Sequence, residues 1–441
     1  MTDQNLKSNF ELFINKYKEK FKGEKIALAI SGGSDSLALA YLANKYKNKY
    51  NYNIIAFTLD HQLRKESTEE ANHVKNIMSK LKIEHHSLIW SEEKPKTKIQ
   101  ETARIARYNI LGKACKIHNC KYVFLGHHAN DQVETFIIRL SGKSGLEGLG
   151  CMKEISRILT NSGKLKLVRP LLSYKKDNLI KICNINNLKW IEDPSNSNLK
   201  YLRSKTRKLL VYNNMFDDFN KSVSLFKRLN TNINDFIYNF TNNEIEFNEL
   251  GVCKLKLHKF KQLPIVMQLR LLNYLLKIIG GKKYPRKSRI LNNLLQKIKS
   301  KNSKNSTVGG AYIKIGKDNI TLSRQLDNTL KTSQINDIST LWDRRFLVLN
   351  KTKKNNITIG PLGEKDYLSM IKLNKIQKPS INFNAIKTIP AIRVLEQIVS
   401  VPHLLYWKND FWKNNIKITH IEYKLFKKYK NIDIFKLGEK I

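Results

Sequence analysis

The stretch IALAISGGSDSLALAYLA, Ile26 to Ala43, constrains the fold more than any other part of the chain. Ile26 to Ile30 run apolar without alternation, as a strand buried on both faces does. Ser31, Gly32, Gly33, Ser34, Asp35 and Ser36 then form a turn without bulky side chains, and Leu37, Leu39, Ala40 and Ala43 resume at helical spacing. Such a turn opening a helix gathers several backbone N–H groups around one small volume, with the helix dipole behind them. That is an anion site, and phosphate is the usual anion. A plain glycine turn is the other reading of the same six residues.

The next segments of the chain repeat the pattern. NIIAFTLD precedes the charged helix ESTEEANHVKNIMSKL, KIEHHSLIW precedes IQETARIARYNILGKACKIHN, and KYVFLG precedes NDQVETFIIRL. Successive β-then-α units predict an α/β domain over residues 1–215, built on a doubly wound, mostly parallel sheet with its ligand along one sheet edge. Residues 216–330 carry helical patterns such as PIVMQLRLLNYLLKIIGG, a mainly helical second domain. The polar joint KSKNSKNST precedes β-like stretches, and residues 335–441 read as a small, basic α+β C-terminal domain.

Charge narrows the partners. Eighty Lys and Arg face 37 Asp and Glu, a formal +43, which favours a polyanion such as RNA or DNA. Lys, Asn and Ile are abundant throughout, so part of that charge is compositional bias. The five cysteines form no C-x-x-C pair, so they indicate a reducing compartment with neither a disulfide framework nor a cysteine zinc site. MTDQNLKSNF lacks the apolar core of a signal peptide, and no apolar run approaches the roughly 18 residues that span a bilayer. A soluble, cytoplasmic protein with no membrane partner is expected.

Three further clusters carry chemistry. In GHHANDQVET, Asp131 and Glu134 share one face of the helix that begins there, placed to bind Mg²⁺ or a substrate ammonium, or else to serve as cap and first-turn acids. His127 beside them is a hydrogen-bonding or proton-shuttling candidate. QETARIARYNIL sets Glu101, Arg104, Arg107 and Tyr108 along one side of a helix. Its arginines can neutralise a phosphate bidentately or make a salt-bridged surface. LDHQLR ends the second strand at Asp60, where an α/β nucleotide site meets the ribose or base, unless Asp60 only shapes a turn.

The loop is neither G-x-x-x-x-G-K-[ST] nor G-x-G-x-x-G. It resembles S-G-G-x-D-S, the pyrophosphate loop of ATP pyrophosphatases. With LDHQLR, GHHANDQVET, LSGKSGLEGL (140–149), RPLL (169–172), WIEDPSN (190–196) and YLRSKTR (201–207), the chain resembles the bacterial tRNA(Ile)-lysidine synthetase family. The likeness is dense over residues 25–210, with weaker echoes at WDRRF and PAIRVLEQIVSVP. Ser204, the Gly142-Lys143 order and the absence of a proline after the arginine helix depart from the family pattern. None of these touches the loop or the paired acids.

The resemblance implies a reaction. ATP adenylates the 2-carbonyl oxygen of the wobble cytidine in a tRNA(Ile) with a CAU anticodon, and free L-lysine displaces AMP, changing decoding from AUG to AUA. It implies that Ser31, Gly32, Gly33, Ser34, Asp35, Ser36 and Asp60 bind ATP, with Asp35 also holding Mg²⁺. Asp131 recognises lysine and acts in catalysis with Glu134 in support, while Arg104 and Arg107 hold phosphate or developing charge. Arg203 and Arg207 contact the RNA, and the basic C-terminal half tracks its backbone. A homodimer is one assembly open to it. The rival within the superfamily is ATP-dependent tRNA base thiolation, which calls for reactive cysteines. Cys115 and Cys120, the nearest pair, read as ordinary core residues. An RNA-binding protein with a dead catalytic fold conflicts with the intact Asp35, Asp131 and Glu134.

Overall fold

The computed structural model describes residues 3–60, 67–89, 99–160, 162–192, 202–212, 215–281, 288–300, 305–327, 329–335, 338–352, 354, 356–376 and 383–421. The chain divides into two compact units, Met1–Asn230 and Thr231–Ile441.

In the first unit the elements run α1 (Asp3–Lys16), α2 (Lys18–Phe21), β1 (Lys25–Ala29), α3 (Ser34–Tyr46), β2 (Asn53–Asp60), α4 (Ser67–Lys80), β3 (Glu84–Ile89), α5 (Ile99–Ile117) and β4 (Tyr122–Leu125). They continue with α6 (Ala129–Ser141), α7 (Leu146–Leu149), β5 (Ile155–Thr160), β6 (Gly163–Val168), α8 (Lys176–Ile185), α9 (Leu202–Tyr212) and α10 (Phe216–Glu244). One six-stranded sheet is ordered β3-β2-β1-β4-β6-β5, parallel throughout except for the antiparallel edge strand β5.

The period of two along each strand explains why both faces are covered. Ile26, Leu28, Ile54, Ala56, Tyr122 and Phe124 point into a core shared with α1, α3 and α8. Their neighbours Ala27, Ile55, Phe57, Val123 and Leu125 point the other way, against Tyr108, Leu111, Ala114 and Cys115 of α5. Each large apolar side chain so buried contributes about 1.5–3 kcal/mol. A strand wedged between two helical layers has no polar face, which accounts for the unbroken apolar run at Ile26–Ile30. The chain winds from β1 through β2 to β3 on one side and restarts with β4 on the other, so the order reverses between β1 and β4. A doubly wound sheet opens its ligand crevice at that reversal.

The second unit begins with the end of α10 and β7 (Ile245–Phe247), β8 (Cys253–Lys256), α11 (Leu257–Gln262), α12 (Ile265–Gly280) and α13 (Ser288–Lys299). The strands β9 (Ser306–Val308), β10 (Ala311–Ile315) and β11 (Asn319–Arg324) complete an antiparallel sheet ordered β7-β8-β11-β10-β9. Leu271, Leu275, Ile279, Leu294 and Ile298 of its helices share a core with Leu255, Ile313 and Leu322 of the strands. Thus the segment whose sequence reads as helices also carries a sheet, built of the local pairs β7–β8, β9–β10 and β10–β11 and joined by the one long-range pair β8–β11. The contact is close at the end of α12, where a Cβ on Gly280 would sit 2.1 Å from the Gly309 carbonyl oxygen.

The remainder is β-rich. A five-stranded antiparallel sheet joins residues 333–334, 357–361, 390–394, 397–401 and 406–407, and a three-stranded one joins 339–342, 346–350 and 416–420. Short helices at Glu364–Lys372 and Asp410–Asn415 pack with them. PAIRVLEQIVSVP is a hairpin of two of these strands. No helix among the described residues is long and apolar enough to cross a membrane.

Candidate active site

The turn after β1 has the conformation its composition demands. Gly32 lies at φ +85°, a region open mainly to glycine, and a Cβ there would come 3.1 Å from Val74 Cγ2. Gly33 is the extended residue before α3, and its carbonyl accepts from Ser36 N at 3.1 Å and Ser36 Oγ at 2.9 Å. Ser36 Oγ in turn accepts from Ser31 N at 3.2 Å. The loop is thus tied to the first turn of its own helix, and Ser31 is left exposed at the sheet edge. The N–H groups of Ser34 and Asp35 lie ahead of this ladder, where a helix start presents its amides to an anion. Ile191 N donates to the Gly32 carbonyl at 3.0 Å, so the WIEDPSN segment also clasps the loop. Asp193 to Asn196 of that motif lie outside the described residues.

Because β1 and β4 are neighbours, the segment after β4 arrives beside this loop. Gly126 passes close to the helix start, a Cβ on it falling 3.2 Å from the Asp35 backbone. His128 follows as the extended residue before α6. Its ring is buried, with Nε2 3.4 Å from Asp35 Oδ2 and 3.6 Å from Asp131 Oδ2. His128 N also donates to Asp131 Oδ2 at 3.0 Å, so Asp131 both caps α6 and faces the imidazole. Burial opposes charge on His128, but the Asp35 hydrogen bond and the negative charges of Asp131 and Asp35 outweigh it and raise its pKa above the ordinary 6.5. Burial likewise opposes ionisation of Asp35, and His128 overcomes it and holds this carboxyl below the ordinary 3.8. The charge of Lys176, at the start of α8, adds to the same effect.

A basic rim surrounds the acids. His127 is driven down to about 4 by desolvation, against the pull of Asp131, with Arg169, Arg203 and Arg104 adding positive charge. It is therefore neutral near pH 7. Arg104 is exposed on α5, with its guanidinium 5.5 Å from the Tyr108 ring centre. Arg107 lies one turn further on, also exposed. Arg203 is exposed on α9.

Glu134 behaves differently from Asp131. It is only 1% exposed, and its Oε1 accepts from Arg207 Nε at 2.8 Å. Its Oε2 has no hydrogen-bond partner among the described residues. Burial works against charge on Arg207, but Glu134 and the fields of Asp131 and Asp35 raise its pKa further. The structure therefore brings together the loop, Asp35, Asp131, Glu134 and Arg207, and it sets Arg104 and Arg203 where their charge reaches His127. Asp60 closes β2, and its side chain lies outside the described residues, as does that of Glu101.

Sequence reasoning passed over His128, Lys176 and the burial of Glu134. The signal for His128 was present: an N-cap position three residues before an acid is the pattern of a reciprocal cap. Lys176 lies 45 positions beyond Asp131 and becomes visible only once α8 packs on α3.

Residues 3–213 match the PP-loop domain family ATP_bind_3. This unit is thus a PP-loop domain, of the ATP-binding class. The chain is 31% identical over 426 residues to the tRNA(Ile)-lysidine synthase of Rickettsia felis, covering 92% of this chain and 96% of the relative. It is also 31% identical over 402 residues to that of Orientia tsutsugamushi, covering 87% and 90%. Among solved structures, a U34-tRNA thiolase from Methanococcus maripaludis aligns with 50% of this chain and 78% of its own, at 20% identity and TM-score 0.40. The chain belongs to the tRNA(Ile)-lysidine synthase family.

Proposed function

We propose that this enzyme joins free L-lysine to C2 of the wobble cytidine of a tRNA(Ile) with a CAU anticodon. The cytidine O2 attacks the α-phosphorus of ATP and pyrophosphate leaves, giving an adenylated tRNA. The lysine ε-amine then bonds to C2, and the C2–O2 bond breaks to release AMP with that oxygen. Activation is needed because a carbonyl oxygen is a poor leaving group and AMP is a good one.

The observation that carries this reading is the Asp35–His128–Asp131 line, which connects an anion loop to an acid at the same sheet edge. The loop Ser31–Ser36 would cradle the phosphates. Asp35 is ionised, partly accessible and a hard oxygen donor, which fits Mg²⁺, whose chemistry there would be to neutralise phosphate charge. Asp131 would receive the lysine ammonium and a proton from it, since only the free amine attacks. Glu134 contributes from behind by holding Arg207, which with Arg203 would meet RNA phosphates. Arg104 and Arg107 would balance the charge of the adenylate. The wobble base must be unstacked to enter, as base-modifying enzymes require. The thiolation reading gains no support from the cysteines: burial pushes Cys115, Cys183 and Cys253 up to about 12 and Cys120 to about 11, leaving little thiolate.

The test follows AMP release from ATP and labelled lysine on tRNA, with and without free lysine. Lysine-dependent AMP release with label on the CAU tRNA(Ile) is the expected result. AMP release that ignores lysine and responds to a sulfur donor would overturn it.

A further inference from the structure

A second group of ligating side chains converges at the opposite edge of the N-terminal sheet, where the strands begin. Glu84 and His86 are two apart on β3 and so project to one face. His118 follows α5, the helix that covers that face. Glu84 Oε1 lies 3.0 Å from His86 Nε2 and 3.9 Å from His118 Nδ1. All three ligand atoms lie within 4.8 Å of one another. The two imidazoles stand 4.7 Å apart, and both pack on Phe57, at 6.1 and 5.5 Å. Phe57 is buried and is the direct ladder partner of His86, so a strand and a helix end fix the rings rather than a loop. Lys25 Nζ takes the other carboxylate oxygen, Oε2, at 3.0 Å.

A structural histidine–carboxylate hydrogen bond needs one ring, whereas here two imidazole nitrogens lie within 4 Å of one oxygen. Two imidazoles and a carboxylate are the donor set of zinc-class ions. With metal–ligand bonds of about 2.0–2.1 Å in a tetrahedron, neighbouring ligand atoms sit roughly 3.3 Å apart. The two distances to Glu84 Oε1 lie on either side of that value. All three side chains are partly exposed, which gives an ion an entry path and leaves room for water.

We propose that Glu84, His86 and His118 bind one divalent ion of the zinc class, with solvent completing the shell, and that the ion clamps the start of β3 to the end of α5. The clamp is separate from the nucleotide edge, roughly 15 Å away along the five residues of β1. An ion bound only by the folded chain stabilises it by mass action.

The experiment uses untagged full-length protein stripped by a chelator. Zn²⁺ is titrated by calorimetry, Co²⁺ by its visible absorption, and thermal melting is recorded with and without Zn²⁺. The wild type is expected to bind an ion through these residues and to melt higher with Zn²⁺. His86→Asn and His118→Asn, each checked for folding by circular dichroism without metal, are expected to lose at least about tenfold in affinity and most of the melting shift. An affinity and a melting shift unchanged in both variants overturn the proposal, as does a wild type that binds neither ion.

Discussion

In the N-terminal unit two aspartates flank one buried histidine, while in the C-terminal unit two buried arginines flank one aspartate. Asp343 accepts from Arg324 Nε at 3.0 Å and from Arg345 Nε at 2.6 Å, and both arginines are 1% exposed. Carbonyls take most of what remains: Arg324 Nη1 donates to Gly310 and Gln325, and Arg345 Nη2 to Thr388. Asp343 and Arg345 belong to WDRRF, so two charges of that motif serve a packed network. Around His128, by contrast, Asp35 and Asp131 stay partly accessible, at 28% and 15%. The C-terminal cluster is sealed from water, its shared carboxylate Asp343 only 8% exposed. The N-terminal cluster leaves two carboxylates open to what binds.

The largest effect should come from opening the closed cluster. Asp343→Ala strands two arginines away from water and should cost about 3–5 kcal/mol of stability in a denaturant titration. A loss below about 1 kcal/mol would mean that the network is not what secures the unit. Next, Asp131→Ala should lower lysine transfer roughly thousandfold, about 4 kcal/mol of barrier. The lost cap bond should cost only about 0.5–2 kcal/mol of stability. Activity falling no further than stability explains would reduce Asp131 to a helix cap. Glu134→Gln keeps the shape and removes the charge behind Arg207, which should destabilise by about 1–3 kcal/mol and weaken tRNA binding more than ATP binding, read by filter binding and nucleotide titration.

Acid should act on the buried histidines with two signs. Burial holds His403 down to about 4 and His420 well below 6.5, with Arg345 adding to both, and His127 also sits at about 4. The unfolded chain therefore binds more protons between pH 6.5 and 4, so stability falls on acidification across that window. His128 has the opposite sign: its raised pKa contributes stability that is complete below 6.5 and lost as pH rises through the folded value. His403→Gln should flatten the acid slope by up to about one proton, measured as unfolding free energy against pH. The smallest change belongs to an exposed pair, Lys175 with Asp217 at 2.8 Å, where Lys175→Ala should shift stability by less than about 1 kcal/mol.

The sequence by itself determined the loop and the β-then-α elements around it. An apolar run ending in two glycines before a helical repeat has few foldings, because a strand buried on both faces, a left-handed glycine and a helix start are all local demands. The pattern of β-then-α units carried the parallel sheet for the same reason. Tertiary structure decided what the charged residues do. Asp131 and Glu134 share a helix face and look equivalent in sequence, yet one stays partly accessible while the other is sealed beneath Arg207, because α9 covers only one of them. The pairing of Asp35 with His128, 93 positions apart, needed β1 and β4 to become neighbours. So did every distance that turns a loop and an acid into a site, since the field around a carboxylate is set by what packs against it and not by what precedes it in the chain.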